Sequence, residues 1–242
     1  MFKSAFFCLG VYKGRALILL LVSLFSQPVF SQTREKTGSW SMYFGQFRFH
    51  NNWSIYTEAQ HRDYGILNET QQILLRTGIN FHCNSISSFT AGYAHVINHP
   101  EDNTSIVNPA VVVENRLWQQ FNMRNNIGRI LFDHRYRTEQ RWIGSNNNTR
   151  YLNRLRYLLR ATVPLNKKEI EENTVFLSVY NEVFLHISPV PFDRNRLYGA
   201  IGYQFLPKAN IQLGYLAQTV NTTTRHYLQA ALFYNFDLRR IE

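Results

Sequence analysis

A chain of 242 residues is long enough for one large domain, and all-β barrels commonly reach this size without splitting. Aromatic residues supply 15% of it and charged residues only 17%, a balance that favours a β-rich envelope protein over a routine soluble enzyme. The formal charge of +10 would suit a nucleic-acid partner, but the arginines alternate within strand-like segments and form no exposed patch interleaved with aromatics, which excludes that class.

The chain opens with Lys3, Lys13 and Arg15, continues with ALILLLVSLF from Ala16 to Phe25, and then turns to small residues. Val29 and Ser31 suit the −3 and −1 positions of a cleavage site before Gln32. The apolar run is half of the about twenty residues a membrane-spanning helix needs. Residues 1–31 therefore read as a cleavable signal peptide for the Sec route, and residues 32–242 as an outer-membrane β-barrel. Cys8 precedes the apolar run, which argues against a lipoprotein anchor. Losing three basic residues takes the charge from +10 to +7. Cys83 is then the sole cysteine, so no intramolecular disulfide can form, and without protease or metal spacing around it the thiol reads as inert, buried or interfacial.

Beyond Gln32 no run of eighteen apolar residues occurs, so membrane-spanning helices are excluded there. Strand-like segments follow one another instead, at about 39–50, 53–64, 70–82, 86–98 and 111–123. The clearest is Ile130 to Trp142, with Ile130, Phe132, His134, Tyr136, Thr138 and Trp142 on one face and Asp133, Arg135, Arg137, Glu139 and Arg141 on the other. Tyr151 to Val163 repeats the pattern with Arg154, Arg156 and Arg160 on its polar side. Segments at about 174–187, 196–206 and 210–220 precede His226 to Leu238, an amphipathic last strand with aromatics near its end. These lengths exceed the five or six residues of ordinary globular strands and match tilted membrane strands.

The connections fall into two alternating classes. HNN at 50–52, CNS at 83–85, RNN at 124–126 and LPKAN at 206–210 are short and polar, with NKKEIEEN at 166–173 a longer member. Those at 65–69, 99–110, 144–149, 188–195 and 221–224 are rich in Asn, Pro and Ser, as outer loops are. The expected fold is all-β, a single up-and-down antiparallel transmembrane β-barrel of about 10–12 strands. Eleven candidate segments conflict with the even count that two periplasmic termini require, which leaves the role of 39–50 open. Trp40, Tyr43, Trp53, Tyr64, Phe121, Trp142 and Tyr151, near strand ends, are expected to form interfacial girdles.

The early GSWSMYFGQFRFHNNWSIYTEAQHR, the central FDHRYRTEQRW, the following RYLNRLRYLLR and the later YNEVFL, behind a signal peptide, resemble the bacterial proteins grouped as domain-of-unknown-function family 2490. The resemblance spans nearly the whole mature chain. It implies an outer-membrane barrel of unassigned activity and supplies no catalytic residues.

With each polar face turned inward, the lumen collects Arg62, Arg76, Arg116, Arg135, Arg137, Arg141, Arg154, Arg156, Arg160 and Arg196. Against them stand Glu58, Glu114, Asp133, Glu139 and Glu182. An arginine facing lipid at the bilayer midplane costs about 2–4 kcal/mol, which drives these side chains inward or beyond the bilayer. Guanidinium forks bridging carboxylates would fill a narrow lumen, and the cationic surplus would select small anionic solutes. The expected activity is thus a structural or weakly anion-selective pore, with no cofactor or metal ligands. Its partners would be outer-membrane lipid, lipopolysaccharide and the barrel-assembly machinery. The alternative is a barrel enzyme modifying outer-membrane lipid or lipopolysaccharide, but His95, His99, His134 and His226 stand at no recognisable spacing from a serine.

Overall fold

A computed structural model describes residues 37–101, 110–145, 148–188 and 190–239. The signal-peptide reading therefore falls outside the described residues. The described residues form eleven strands: β1 Gly38–Arg48, β2 Trp53–Asp63, β3 Thr70–His82, β4 Ser87–Asn98, β5 Val112–Ile127 and β6 Ile130–Ser145, then β7 Asn148–Pro164, β8 Thr174–His186, β9 Phe192–Leu206, β10 Ala209–Val220 and β11 Thr223–Asp237. Period-two alternation of long segments dictates this outcome, because each strand can then turn one face to the interior along its whole length. Among the described residues there is no helix.

The strands close into a single barrel in sequence order. Neighbours pair antiparallel except at the seam, where β1 and β11 run parallel from Gly38↔Tyr227 to Arg48↔Asp237. The parity expectation is corrected here. An even count is required only when the seam is antiparallel; an odd count closes with one parallel pair, so segment 39–50 is a full wall strand. Gly38 consequently lies at the mouth with the longer connections and Asp237 at the opposite mouth. A hydrogen-bonded rung that leaves β5 at Val112 and passes through Trp40 and Gln229 returns to β5 at Asn126, most of a strand further along. That stagger is the tilt a barrel needs to close.

Two connections sit elsewhere than expected. The turn placed at 124–126 is instead Gly128–Arg129, because Asn125 and Asn126 remain paired with Phe132 and Leu131. Gly128 takes φ 59° at the first turn position, which glycine reaches without the steric cost an asparagine side chain would bring. The segment 188–195 gives up its last residues to the wall, since β9 begins at Phe192. Cys83 is exposed in the connection between β3 and β4 rather than buried.

The outer face carries exposed aliphatic and aromatic side chains around the barrel, among them Leu75, Leu117, Leu155, Leu177, Ile201 and Leu213. Ring pairs stand near both mouths: Trp53 with Phe81 and Phe89 with Phe121 at the short-turn end, Trp142 with Tyr151 at the loop end. Trp40 is corrected out of this girdle. It is 2% exposed and faces inward, because the parity of β1 sets it beside Arg62 and not beside the outer rings. Trp118 is also wholly interior, lying where Gly78 and Gly92 pair across β3 and β4. A Cβ on Gly92 would come within 2.8 Å of the Trp118 ring and 2.1 Å of the Thr77 carbonyl oxygen, so these positions are glycine for room.

Candidate functional site

The interior of β5 to β8 is an ion-pair lattice centred on Glu139, whose side chain has no solvent exposure. Arg154 donates to Glu139 through Nε at 2.9 Å and Nη2 at 2.5 Å, and through Nη1 to Asp193 at 2.9 Å. Arg156 donates to Glu139 at 2.6 Å and, through Nε and Nη2, to Glu182 at 3.0 and 2.7 Å. Arg135 reaches the same Glu182 oxygen at 2.7 Å from two strands away. Arg76, on β3, donates to Glu58 at 2.7 Å and lies 3.6 Å from Glu139 on β6, so the lattice spans the lumen.

The register explains this order. Glu58 faces Arg76, Glu139 faces Arg154 and Glu182 faces Arg196 directly across neighbouring strands. Arg116 faces Arg141, however, and Arg137 faces Arg156, and like charges directly opposite are destabilising. In each case a carboxylate two residues along the same face steps between them. Glu114 takes both oxygens to the Nε and Nη2 of Arg116, at 2.6 and 2.9 Å, and also accepts from Arg141. Glu139 accepts from Arg156 at 2.6 Å and lies 3.9 Å from Arg137, which also donates to Gln120 at 2.7 Å and lies 4.9 Å from the Trp118 ring centroid.

Arg62, Arg76, Arg116, Arg137, Arg141, Arg154, Arg156 and Arg196 are thus all buried with Glu58, Glu114, Glu139 and Glu182. Arg135 and Arg160 are half-buried. Asp133 stands apart: it binds Arg124 at 2.8 Å at the short-turn mouth, where both are partly exposed. Asp193 and Arg194 were missed because Pro189, Pro191 and Ser188 made their stretch read as loop; the inward Asp193 follows the outward Phe192 at the head of β9. Trp40 was placed in the girdle because a tryptophan near a strand end suits an interface equally well; Trp118, in the middle of β5, was assigned to neither face.

Beside the lattice lies a cavity of 270 Å³, lined by eleven arginines but only three glutamates. Its other wall, from β10, β11 and β1, is apolar or uncharged, with Met42, Phe44, Gln212, Gln229 and Phe233. Arg62 has no carboxylate partner among the described residues: Nε donates to Gln60 Oε1 at 3.0 Å, and the guanidinium lies 3.9 Å from the Trp40 ring centroid. Arg160 likewise has no ion pair there and rests near the Tyr180 and Phe233 rings.

His134 and His226 face outward and bond the hydroxyls of Tyr157 and Tyr215 at 2.9 and 2.6 Å. A Ser–His contact does occur, Ser54 Oγ to His82 Nε2 at 2.8 Å, but Ser54 is 0% exposed and already receives Asn80 Nδ2 at 3.0 Å. Such a hydroxyl is not presented to a substrate. Among the described residues no group of three or more His, Cys, Asp or Glu side chains could hold a metal ion.

The chain is 27% identical over 196 residues to an uncharacterized protein of Methylorubrum extorquens, a match covering 76% of this chain and 81% of the relative. No solved structure matches it. The sequence fits the family described as "Protein of unknown function (DUF2490)" over residues 37–229, a span that runs from the head of β1 well into β11 and takes in the whole lattice, and the chain belongs to that family.

Proposed function

We propose that this protein is an outer-membrane transmembrane barrel, exported by the Sec route behind residues 1–31, whose lumen is largely closed by salt bridges and passes small anions weakly. The observation that carries this reading is the inversion of polarity across the wall. Leu75, Ile201 and Leu213 are 56%, 63% and 62% exposed on the outside, whereas Glu139 and Arg137 are 1% and 2% exposed within. A water-soluble protein does not surround itself with apolar surface while burying its charges; lipid makes that arrangement favourable. Ring pairs near both mouths support interfacial girdles, and the short connections at one mouth support a periplasmic orientation for that end.

Cross-lumen contacts such as Arg76 to Glu139 and Arg135 to Glu182 leave little straight path for ions, so conductance should be small. The arginine surplus around the cavity sets its sign, as rings of arginine do in anion pores. The test joins fractionation to planar-bilayer recording. The protein should enter the outer-membrane fraction, migrate differently on gels before and after boiling, and give small anion-preferring currents. Recovery in a soluble fraction, or large cation-preferring currents, would sink the reading.

A further inference from the structure

We infer that the loop-side half of the lumen holds a built binding site for a small phosphate-type oxyanion, seated between Arg62 and Arg196 beside Trp40. This deepens the pore reading and rests on the arginine-lined lumen it invokes.

Arg62, Trp40 and Gln229 lie side by side on one rung crossing β2, β1 and β11. The Arg62 guanidinium is 3.9 Å from the Trp40 ring centroid and that of Arg196 is 4.8 Å from it, so one indole carries two cations. Both arginines are more than nine-tenths buried. Neither is neutralised as its neighbours are: among the described residues Arg62 donates only to Gln60, and Arg196 donates to Gln218 at 2.8 Å while its nearest carboxylate, Glu182, is 3.9 Å away and already takes Arg135 and Arg156. Arg116 and Arg194 are further like-charge neighbours of Arg62, offset in part by Glu58, which makes no ion pair with it and is already taken by Arg76. Two buried cations held close without a full counter-charge are unfavourable unless something anionic completes the set.

A second, independent observation points the same way. The Trp40 indole N–H lines this cavity, is buried and has no hydrogen-bond partner among the described residues, whereas the Tyr198 hydroxyl beside it has Gln229. Each orphaned buried polar atom normally has an ordered partner. One unpartnered donor and two cations without a close carboxylate thus line one 270 Å³ space. The volume sets the ligand class, being below the about 300–1,000 Å³ of pockets that hold drug-sized molecules. A tetrahedral oxyanion with at most a few attached carbons fits, while a nucleotide does not. Arginine forks match phosphate oxygens in pairs, which favours phosphate over a spherical halide. Arg62 is one residue from the end of β2 and Trp40 two from the start of β1, so the site lies near the loop mouth and would be filled from that side.

The experiment uses the folded full chain in detergent, titrated with inorganic phosphate in chloride buffer, with heat and tryptophan fluorescence as readouts. Saturable one-site binding is expected, at least tenfold weaker in Arg62→Gln, since one charge-assisted fork is lost. Trp40→Phe should abolish the fluorescence change. Arg124→Gln, at the opposite mouth, should bind as the wild type does. Arg62→Lys keeps the charge and loses the fork, so it tests the site should Arg62→Gln fail to fold; binding equal to wild type in either variant overturns the proposal. So does an absence of phosphate binding to a chain that shows the heat-dependent gel shift, which would mean that water alone fills the space. A parallel arm presents lipid A in vesicles: binding to these but not to free phosphate places the recognition on the lipid surface and overturns the lumen site. Membrane fractionation of the same preparations separates the two readings, because phosphate binding by a chain found in the soluble fraction would sink the pore and leave the site standing.

Discussion

Glu139→Gln isolates what the lumen lattice contributes. The substitution conserves shape and one acceptor oxygen but removes the charge on which Arg154 and Arg156 converge, with Arg76 at 3.6 Å and Arg137 at 3.9 Å behind them. A pair of unit charges about 4 Å apart interacts by about 4 kcal/mol at an effective dielectric near 20. Deleting one member of a buried pair costs about 3–5 kcal/mol because the other is left uncompensated. Three of these arginines keep a second carboxylate: Arg154 has Asp193 at 2.9 Å, Arg156 has Glu182 at 2.7 Å and Arg76 has Glu58 at 2.7 Å. The loss should therefore fall at the low end of that range, about 3 kcal/mol. With a urea slope of roughly 2 kcal/mol/M, the unfolding midpoint, followed by the heat-dependent gel shift, should drop by about 1.5 M. Arg62→Gln removes a cation with no carboxylate partner among the described residues and should shift the midpoint by less than about 0.5 M. Equal midpoints for Glu139→Gln and the wild type, or a larger drop for Arg62→Gln, would refute the idea that carboxylates hold this lumen together.

Three further outcomes follow from the wall and its turns. Leu213→Arg places a charge on the outer face near the middle of β10, and in lipid it should cost about 2–4 kcal/mol of folding stability, measured in vesicles; a neutral effect would argue against membrane burial. Gly92→Ala forces a Cβ against the Thr77 carbonyl and the Trp118 ring and should destabilise by about 1–3 kcal/mol, read as a lower unfolding midpoint with altered tryptophan emission. Cys83, exposed at the short-turn mouth, should resist a membrane-impermeant maleimide in intact cells and react once the outer membrane is permeabilised; labelling in intact cells would reverse the proposed orientation.

The wall was legible in sequence because strand faces follow from a rule of two. Once Arg135, Arg137, Glu139 and Arg141 alternate with apolar neighbours, their common side is determined without knowing the partner strand. Three things were not legible, each for a physical reason. The parallel seam depends on which ends meet at closure, a property of the whole circuit and not of any segment. The turn after β5 pitted two asparagines against one glycine, and the positive φ favoured Gly128. Trp40 reads as interfacial because a tryptophan's ring suits either setting, and Trp118 was given no setting; the paired glycines Gly78 and Gly92, which open space opposite Trp118, were the signal that could have placed that ring inside.

The distribution of carboxylates divides the lumen into two halves with different tolerances. All five acids of the central interior lie on β2, β5, β6, β8 and β9, and Arg135, Arg141, Arg154 and Arg156 of β6 and β7 are held by them. β10, β11 and β1 supply no buried carboxylate, and their buried residues other than Ser39 are apolar, aromatic or amide-bearing, as Trp40, Leu216, Tyr227, Gln212 and Gln229 are. A lattice spread evenly around the wall would neutralise every arginine and leave nothing for a ligand to do. Confined to one side, it fixes the cross-section of the barrel while Arg62, Arg160 and Arg196 face a wall that cannot answer their charge. The same asymmetry predicts the sign of any current and the position of any bound anion, so that stability belongs to the acid-bearing strands and recognition to the seam where β1 meets β11.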